Sequence, residues 1–265
     1  MKKILSYLLL LFAINCFAKA PSPEIYSVVD LSSGNYLEQS NINKIHSIAS
    51  LTKLMTAYVL IKYHPNLEAC ASKVTEDDKD YLKGTKTRME MNAYISCKKL
   101  LQAMLIMSDN WAASALSKTI PGVSSHQFIQ LMNAQAKEWG MTSTFFRDSS
   151  GLSPENQSTA HNMNTLIYQV SSVKLINDLS SQKDILFVKN NGEMRFFKNT
   201  NKLIRESNYK ALLSKTGYIK ESGYNLIFIP KNCQEKSIAL LIMGAKSSAT
   251  RAIFAERILG KYSCG

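Results

Sequence analysis

The order of elements predicts an α+β fold. Strand candidates gather at the two ends of the chain, apolar-striped helical segments fill the middle, and no repeat, low-complexity tract or independent linker separates them. A sheet built from both termini, carrying an inserted helical lobe, satisfies that order. About 245 residues after a leader are enough for one large domain or two closely joined lobes around a sizeable core.

The leader comes first. Lys2 and Lys3 precede the apolar run Ile4 to Ala13, and Ala18-Lys19-Ala20 offers a small-residue cleavage site. The run is shorter than the ~20 residues of a spanning helix, and Asn15 interrupts it. Ala13-Ile14-Asn15 ahead of Cys16 is a poor lipidation signal. The expectation is a signal peptide over 1–20, a folded region over 21–265, a periplasmic location and no stable membrane anchor.

Ile25 to Leu31 and Tyr36 to Gln39 read as strands joined by the turn Ser32-Ser33-Gly34-Asn35. Leu51, Leu54, Met55, Tyr58 and Ile61 recur at helical spacing, and His64-Pro65 ends that helix. Asn66 to Thr87 reads as polar surface loops and short elements. A helix over Ser96 to Met107 has Leu100, Leu101, Met104 and Leu105 on its core face; Ser108-Asp109-Asn110 breaks it, and Trp111 to Ser117 resumes. After the Pro121-Gly122 turn, a helix covers Ser124 to Trp139 with Gly140 as its cap. Phe145 to Ser158 is a loop, and Met163 to Leu175 a further helix. From Phe187 the composition turns β-rich: Phe187–Val188, Met194–Phe197, Lys210–Ile219, Tyr224–Ile229 and Ser237–Met243 are strand candidates. Pro230 to Lys236 reads as a hairpin connection, and Ala249 to Leu259 as a closing helix.

Loss of Lys2, Lys3 and Lys19 lowers the formal charge from +12 to +9. That balance suits an anionic envelope and a carboxylate-rich substrate. An exported chain without a basic–aromatic repeat is not expected to bind nucleic acid. Cys70, Cys97, Cys233 and Cys264 remain after cleavage, an even count that favours disulfides. Of the three pairings, Cys70–Cys97 and Cys233–Cys264 are expected, because each joins sequence-local elements. The second fits a terminal helix that runs back across the last strand. No cysteine or histidine pair has zinc-ligand spacing, so neither a metal nor another cofactor is expected.

Three triplets carry the chemistry. Ser50-Leu51-Thr52-Lys53 opens the first helix, and places a hydroxyl and an amine on one helical face, about 5–6 Å apart at Cβ. S-x-x-K occurs five times, but only this copy opens a strongly apolar helix after a turn-like loop. Ser108-Asp109-Asn110 follows 58 residues after Ser50, at a helix break, and Lys215-Thr216-Gly217 a further 107 on, in a strand candidate. Serine attacks a carbonyl only when a base takes its proton, and a lysine with a depressed pKa is such a base. Ser50 is therefore the expected nucleophile, Lys53 its base, and Ser108 a proton relay to the leaving nitrogen. Asn110 is expected to hydrogen-bond the substrate backbone. Lys215 is read as a cation facing the cleft, which attracts a substrate carboxylate and keeps Lys53 neutral by repulsion. Thr216 donates to the same carboxylate, and Gly217 leaves room for an extended peptide. The N–H groups of Ser50 and Tyr218 would form an oxyanion hole. This order of triplets is that of penicillin-recognising serine enzymes.

On these residues the chain resembles the low-molecular-weight penicillin-binding D-alanyl-D-alanine peptidases, family S11. Ser47-Ile48-Ala49-Ser50-Leu51-Thr52-Lys53-Leu54-Met55-Thr56-Ala57 is similar to that family's first motif. Met132-Asn133, Gly140-Met141, Gly151-Leu152, Asn156 to Ala160, Asn199 to Leu203 and Lys215 to Tyr218 extend the resemblance across Ile25 to Met243. The resemblance implies the β-lactamase/transpeptidase-like fold, with a five-stranded antiparallel sheet, flanking helices and a cleft between sheet and helical lobe. It also implies hydrolysis of D-alanyl bonds in peptidoglycan stem peptides through a serine ester, with β-lactam antibiotics as covalent inhibitors. Carboxypeptidases of the family add a β domain and an amphipathic anchor. The end at Gly265 leaves room for neither, so the endopeptidase branch, which cuts cross-links, is expected. Ile219, Asn162 and Trp111 depart from the family pattern, the first where a threonine contact to carboxylate is common.

The alternatives are a D-alanyl-D-alanine carboxypeptidase acting on pentapeptide stems, a class A-like β-lactamase and a non-catalytic peptidoglycan-binding module. The β-lactamase would need a Glu-x-x-x-Asn loop, but Glu155 is followed by Asn156 and position 159 is Thr. The binding module would show loss of the motifs, all of which are present. His46, His64, His126 and His161 are scattered and no G-x-S-x-G elbow occurs, which disfavours a Ser-His-Asp hydrolase.

Overall fold

The computed structural model describes residues 22–207, 209–234 and 236–264; the expected leader and Cys16 lie outside the described residues. Five strands form the principal sheet: β1 (Ile25–Asp30), β2 (Tyr36–Ser40), β3 (Ala211–Ile219), β4 (Gly223–Pro230) and β5 (Ile238–Ala245). Their order is β2–β1–β5–β4–β3, and every neighbouring pair is antiparallel. The two ends of the chain meet inside it, with Ile25 opposite Met243 and Asp30 opposite Ile238.

Helices cover both faces, which is why the central strands read as unbroken apolar runs rather than alternating ones. On one face Val28, Leu226, Phe228, Leu240 and Ile242 pack with Phe254, Ile258 and Leu259. These last three belong to the closing helix Ser248–Lys261. On the other face Ile25, Leu213, Ile227, Leu241 and Met243 join the core of the helical lobe. That lobe contains α1 (Lys53–Tyr63), α2 (Cys97–Gln102), α3 (Asn110–Leu116), α4 (Ser125–Glu138), α5 (Ala160–Ser171) and α6 (Lys174–Ser180). A short helix, α7 (Lys202–Glu206), leads into β3, and the closing helix is α8. α1 runs through the centre and is buried nearly all round, from Lys53 to Leu60 apart from Tyr58.

Several local expectations change. The helix at Ser96–Met107 begins with Ser96 as its N-cap, but its second half, Ala103–Met107, is wound as a π-turn. The helix expected over Met163–Leu175 starts earlier, at Ala160, where the Thr159 side chain accepts from Asn162 N–H. It ends at Ser171, and α6 begins after Val173. The strand candidates near Phe187 and Met194 do pair, as Asp184–Val188 with Met194–Lys198, but as a separate ribbon outside the five-stranded sheet. Asn66–Thr87 is more than surface loop. Val74, Asp78 and Asp80 are buried, and the Asp80 carboxylate accepts the N–H groups of Leu82, Lys83 and Thr85.

Both disulfides take the expected pairing, Cys70–Cys97 and Cys233–Cys264. The first staples the ribbon of Ala71–Lys73 and Tyr94–Ser96 to the start of α2; the second ties the end of α8 to the β4–β5 connection. They close loops of 27 and 31 residues. Loops of that length correspond to about 3–4 kcal/mol each in chain-entropy terms. Replacing either pair by alanine is expected to cost about that much in denaturant unfolding. Iodoacetamide should add no mass to the unreduced chain carrying Cys16→Ala, whose four remaining cysteines are paired.

Candidate active site

Ser50 lies in a 3₁₀ turn, Ala49–Thr52, that leads directly into α1. Ala49 before it is held at φ 46°, a left-handed conformation uncommon for a residue with a Cβ. Gly151, at φ 81°, packs against that turn: a Cβ there would overlap the Ala49 carbonyl and lie 2.9 Å from Ser50 N. The Ser50 turn is therefore shaped by a close backbone approach that only glycine permits.

Lys53 is fully buried, and its Nζ lies 2.9 Å from Ser50 Oγ, 2.7 Å from Asn110 Oδ1 and 2.5 Å from the Ser150 carbonyl. Asn110 Nδ2 donates to Thr85 Oγ1 at 3.0 Å, which orients the amide so that its oxygen faces the amine. The Asn110 oxygen and the Ser150 carbonyl can only accept, so they take two N–H bonds. The third direction faces Ser50, where an ammonium donates and a neutral amine accepts the serine proton. Burial pushes the Lys53 pKa down to about 7, against the pull of Asp148, Asp109 and Asp80.

The loop that supplies the Ser150 carbonyl is organised by Asp148. Its carboxylate accepts the N–H groups of Ser150, Gly151 and Ser153 and the Asn156 amide. Thr56 on α1 donates to the Ser149 carbonyl at 2.7 Å, which fastens the loop one turn beyond Lys53. The reading of the triplets had no role for Asp148, Ser150 or Thr56. The only local signal is an acid followed by small residues and glycine, an Asx-turn pattern.

Ser108 ends the π-turn in the left-handed region, at φ 60° and ψ 34°. Asp109 caps α3 by accepting from Ala112 N–H, so the triplet is held from both sides. The Ser108 hydroxyl accepts from Lys215 Nζ at 2.9 Å, and Lys215 also donates to the Thr216 carbonyl at 2.8 Å. Lys215 is not the open cation expected from sequence: it is only 1% exposed. Its pKa lies well below the usual lysine range, through burial first and then repulsion by Lys53 and Arg251. Burial is the main cause of the low Lys53 pKa, and repulsion between the two buried lysines disfavours charging both at once.

β3 is an edge strand beside the Ser50 turn. The Ile219 N–H donates to Ser222 Oγ on the β4 side, whereas the Ser214 N–H donates to Ser180 Oγ on the other. Because ladder groups alternate, Tyr218 N–H and C=O share the free edge with Ser214. A Cβ on Gly217 would lie 3.0 Å from the Ile48 carbonyl and 3.1 Å from Ser50 N. The Ser50 and Tyr218 N–H groups thus belong to closely apposed backbones. Asn225, opposite Gly217, braces the seam by donating to the Ser47 carbonyl at 3.4 Å and accepting from Gly244 N–H at 2.9 Å. Thr200, also unanticipated, has its hydroxyl 2.6 Å from that of Thr216. At the far end of the edge, Lys83 from the helical lobe pairs with Glu221 from the β3–β4 turn at 2.6 Å.

The residues singled out from sequence therefore meet in one cleft. Ser50, Lys53 and Asn110 form one hydrogen-bonded group, and Ser108, Lys215 and Thr216 form a second. Gly217 on the strand lies against the backbone of Ser50, and Tyr218 follows it on the free edge. Among the described residues no helix is long and apolar enough to cross a membrane.

The chain is similar to known proteins along most of its length. A family model described as D-alanyl-D-alanine carboxypeptidase, peptidase S11, matches residues 18–247. The D-alanyl-D-alanine endopeptidase of Haemophilus influenzae is 42% identical over 252 residues, spanning 94% of this chain and 83% of that protein. A single-residue mutant of the Streptomyces K15 DD-transpeptidase matches the fold with a TM-score of 0.81 at 22% identity. The match covers 90% of this chain and 96% of that one. Penicillin-binding protein D2 of Listeria monocytogenes in its ampicillin-bound form gives 0.72 at 25% identity, over 90% and 96% of the two chains.

Gly217→Ala tests the seam. The added methyl must displace the backbone at Ile48 or Ser50 by a few tenths of an ångström. Labelling of Ser50 by benzylpenicillin is expected to slow at least about tenfold, while destabilisation stays near ~1 kcal/mol, about 2–4 °C in melting temperature.

Proposed function

The chain belongs to the D-alanyl-D-alanine carboxypeptidase family, peptidase S11, and from that premise we propose that it is a serine D-alanyl-D-alanine endopeptidase that opens peptidoglycan cross-links. The observation that carries the reading is the buried Lys53 amine, with a pKa of about 7 and its one uncommitted direction facing Ser50.

In this reading Ser50 Oγ attacks the D-alanyl carbonyl as its proton passes to neutral Lys53. The carbonyl oxygen, now negative, is held by the N–H groups of Ser50 and Tyr218. The C–N bond then breaks as Ser108 gives its hydroxyl proton to the departing nitrogen and regains one from the Lys53 ammonium, which returns Lys53 to the neutral amine. Water takes the place of the amine and cleaves the ester by the reverse sequence. Asn110 holds the Lys53 amine and borders the substrate. The substrate lies extended along the Tyr218 edge, over Gly217. A substrate carboxylate reaching Lys215 and Thr216 favours the ammonium form of Lys215. That charge in turn favours the neutral form of Lys53, so binding prepares the base. The enzyme works in the periplasm, and β-lactams acylate Ser50 because they present the same carbonyl and carboxylate.

The 42% identical relative named as an endopeptidase supports cross-link cleavage. Carboxypeptidase action is the second reading, favoured by the placement of Lys215 and Thr216 for a terminal carboxylate.

Intact-mass spectrometry with benzylpenicillin is expected to show a lasting one-drug adduct that Ser50→Ala abolishes. Drug consumed without adduct would indicate a β-lactamase, and neither adduct nor drug loss would overturn the reading. Cross-linked muropeptide dimers should be split into monomers faster than linear pentapeptides lose D-alanine; the reverse preference would establish the carboxypeptidase. The acylation rate should also depend on pH in one direction. The active form is the neutral amine, so the rate should rise through about pH 7 and level off above it. Below that range it should fall about tenfold per pH unit.

A further inference from the structure

A groove of about 360 Å³ opens between the segment around Arg88–Ser96 and the ribbon of Asp184–Val188 and Met194–Lys198. Its walls are apolar at Ile95, Phe187 and Phe197, and its charge is one-sided: Arg88, Lys99, Lys189 and Arg195 face a single lining carboxylate, Glu90. Lys189 and Arg195 are both paired with Glu193, and Glu90 accepts the Asn190 N–H. Among the described residues, Arg88 and Lys99 have no ion-pair partner. Each instead lies near an aromatic ring, Arg88 at 5.7 Å from the Phe197 centroid and Lys99 at 5.3 Å from that of Phe187. Lys99 is also held by the Leu186 carbonyl at 2.8 Å.

Both walls continue into one end of the cleft. Thr87 Oγ1 and Arg88 N–H donate to the carboxylate of Asp109, the residue after Ser108, at 3.1 and 3.2 Å. The ribbon runs on through Asn199 to Thr200, whose N–H donates to the Ile106 carbonyl and whose hydroxyl meets Thr216. The groove therefore adjoins the Ser108–Lys215–Thr216 end, away from the Tyr218–Glu221 end. When an acyl chain lies along the Tyr218 edge with its carbonyl at Ser50, the departing nitrogen points toward Ser108 and the groove beyond it.

We propose that this groove is the subsite for the leaving half of a cross-linked substrate, an acidic stem peptide. The proposal rests on the endopeptidase reading and gives it a structural basis. An uncross-linked stem carries free carboxylates on its γ-linked glutamate, its diamino acid and its terminal D-alanine, and these match cations that no acidic side chain neutralises. Its alanine methyls and the hydrocarbon arm of the diamino acid match the apolar wall. The leaving stem hangs from the scissile nitrogen by the side chain of its diamino acid, and the two residues before that diamino acid add roughly 7 Å beyond the arm at 3.3–3.6 Å per residue. A carboxypeptidase, which releases a single D-alanine, has no use for such a groove.

The test uses the tetrapeptide L-Ala-γ-D-Glu-meso-diaminopimelyl-D-Ala, titrated calorimetrically into the Ser50→Ala chain. Arg88→Gln, at an exposed position, and Arg88→Gln with Lys99→Gln are added to that background. The double substitution is expected to weaken binding about five- to twentyfold, and Arg88→Gln alone about two- to fivefold. Amidating the peptide carboxylates should weaken binding comparably, and raising salt should weaken it more in the parent than in the double variant. With Ser50 intact, benzylpenicillin acylation of both variants should remain within twofold of the parent, because the drug has no second stem. No tetrapeptide binding by the parent, unchanged affinity in both variants, or equal affinity for the amidated peptide would overturn the proposal. So would a fall in penicillin acylation as large as the fall in peptide affinity. Peptide binding that depends on Arg88, in a chain that leaves cross-linked dimers uncut, would instead overturn the endopeptidase reading.

Discussion

The structure depends on a lysine amine placed where a full charge is expensive. Burying an unpaired ammonium costs several kcal/mol, so the surroundings of Lys53 must either compensate it or let it lose its proton. This chain does some of each. Burial lowers the pKa to about 7 against the pull of Asp148, Asp109 and Asp80, and two fixed carbonyl oxygens, from Asn110 and Ser150, take hydrogen bonds from the amine. Much of the helical lobe serves that balance. α3 begins at Asn110 so that its amide faces inward, and Asp148 shapes a whole loop so that one carbonyl points at the amine.

The second constraint is the closeness of the two lobes. In the proposed mechanism the edge strand adds a peptide and donates to an oxyanion, which requires it to approach the Ser50 turn at backbone distance. Side chains at Gly217 and Gly151 would prevent that. Ala49 and Ser108 sit in left-handed conformations on either side of the cleft. Each costs roughly 1–2 kcal/mol, which the buried core of the helical lobe and the Asn225 brace offset. Strain thus gathers at Ser108 and at the residue before Ser50, a common distribution for functional turns.

Away from the cleft, charge is distributed with direction. The chain is strongly basic, yet many surface cations sit beside a carboxylate, as in Lys44–Glu24, Lys174–Asp178 and Lys261–Glu38. Exposed pairs of this kind contribute little to stability. The informative cations are those held by rings or hydroxyls, Arg88 and Lys99 in the groove and Lys215 in the cleft. In the groove the two cations have no ion-pair partner among the described residues, whereas Lys215 is buried and its pKa is lowered.

The sequence by itself determined the α+β class, the strands that bring the two termini together, α1 and its Ser50–Lys53 pair, the cap at Gly140 and the pairing of the cysteines. All are written in local patterns: apolar periodicity, turn residues and short loop spans. The triplets announced the site because each marks an element start or break that a neighbouring stretch makes visible. What only the tertiary structure decided are contacts between residues far apart in the chain. The Ser150 carbonyl meets Lys53 across 97 positions, and Asn225 meets Ser47 across 178. The ribbon at Asp184–Lys198 illustrates the same limit. Its composition specifies strands, but not which partner they choose, since pairing depends on where the lobes leave an edge free. Lys215 does so most directly. A lysine in an apolar strand can face solvent or core, and only the assembled cleft sets its burial, its hydrogen bond to Ser108 and its charge.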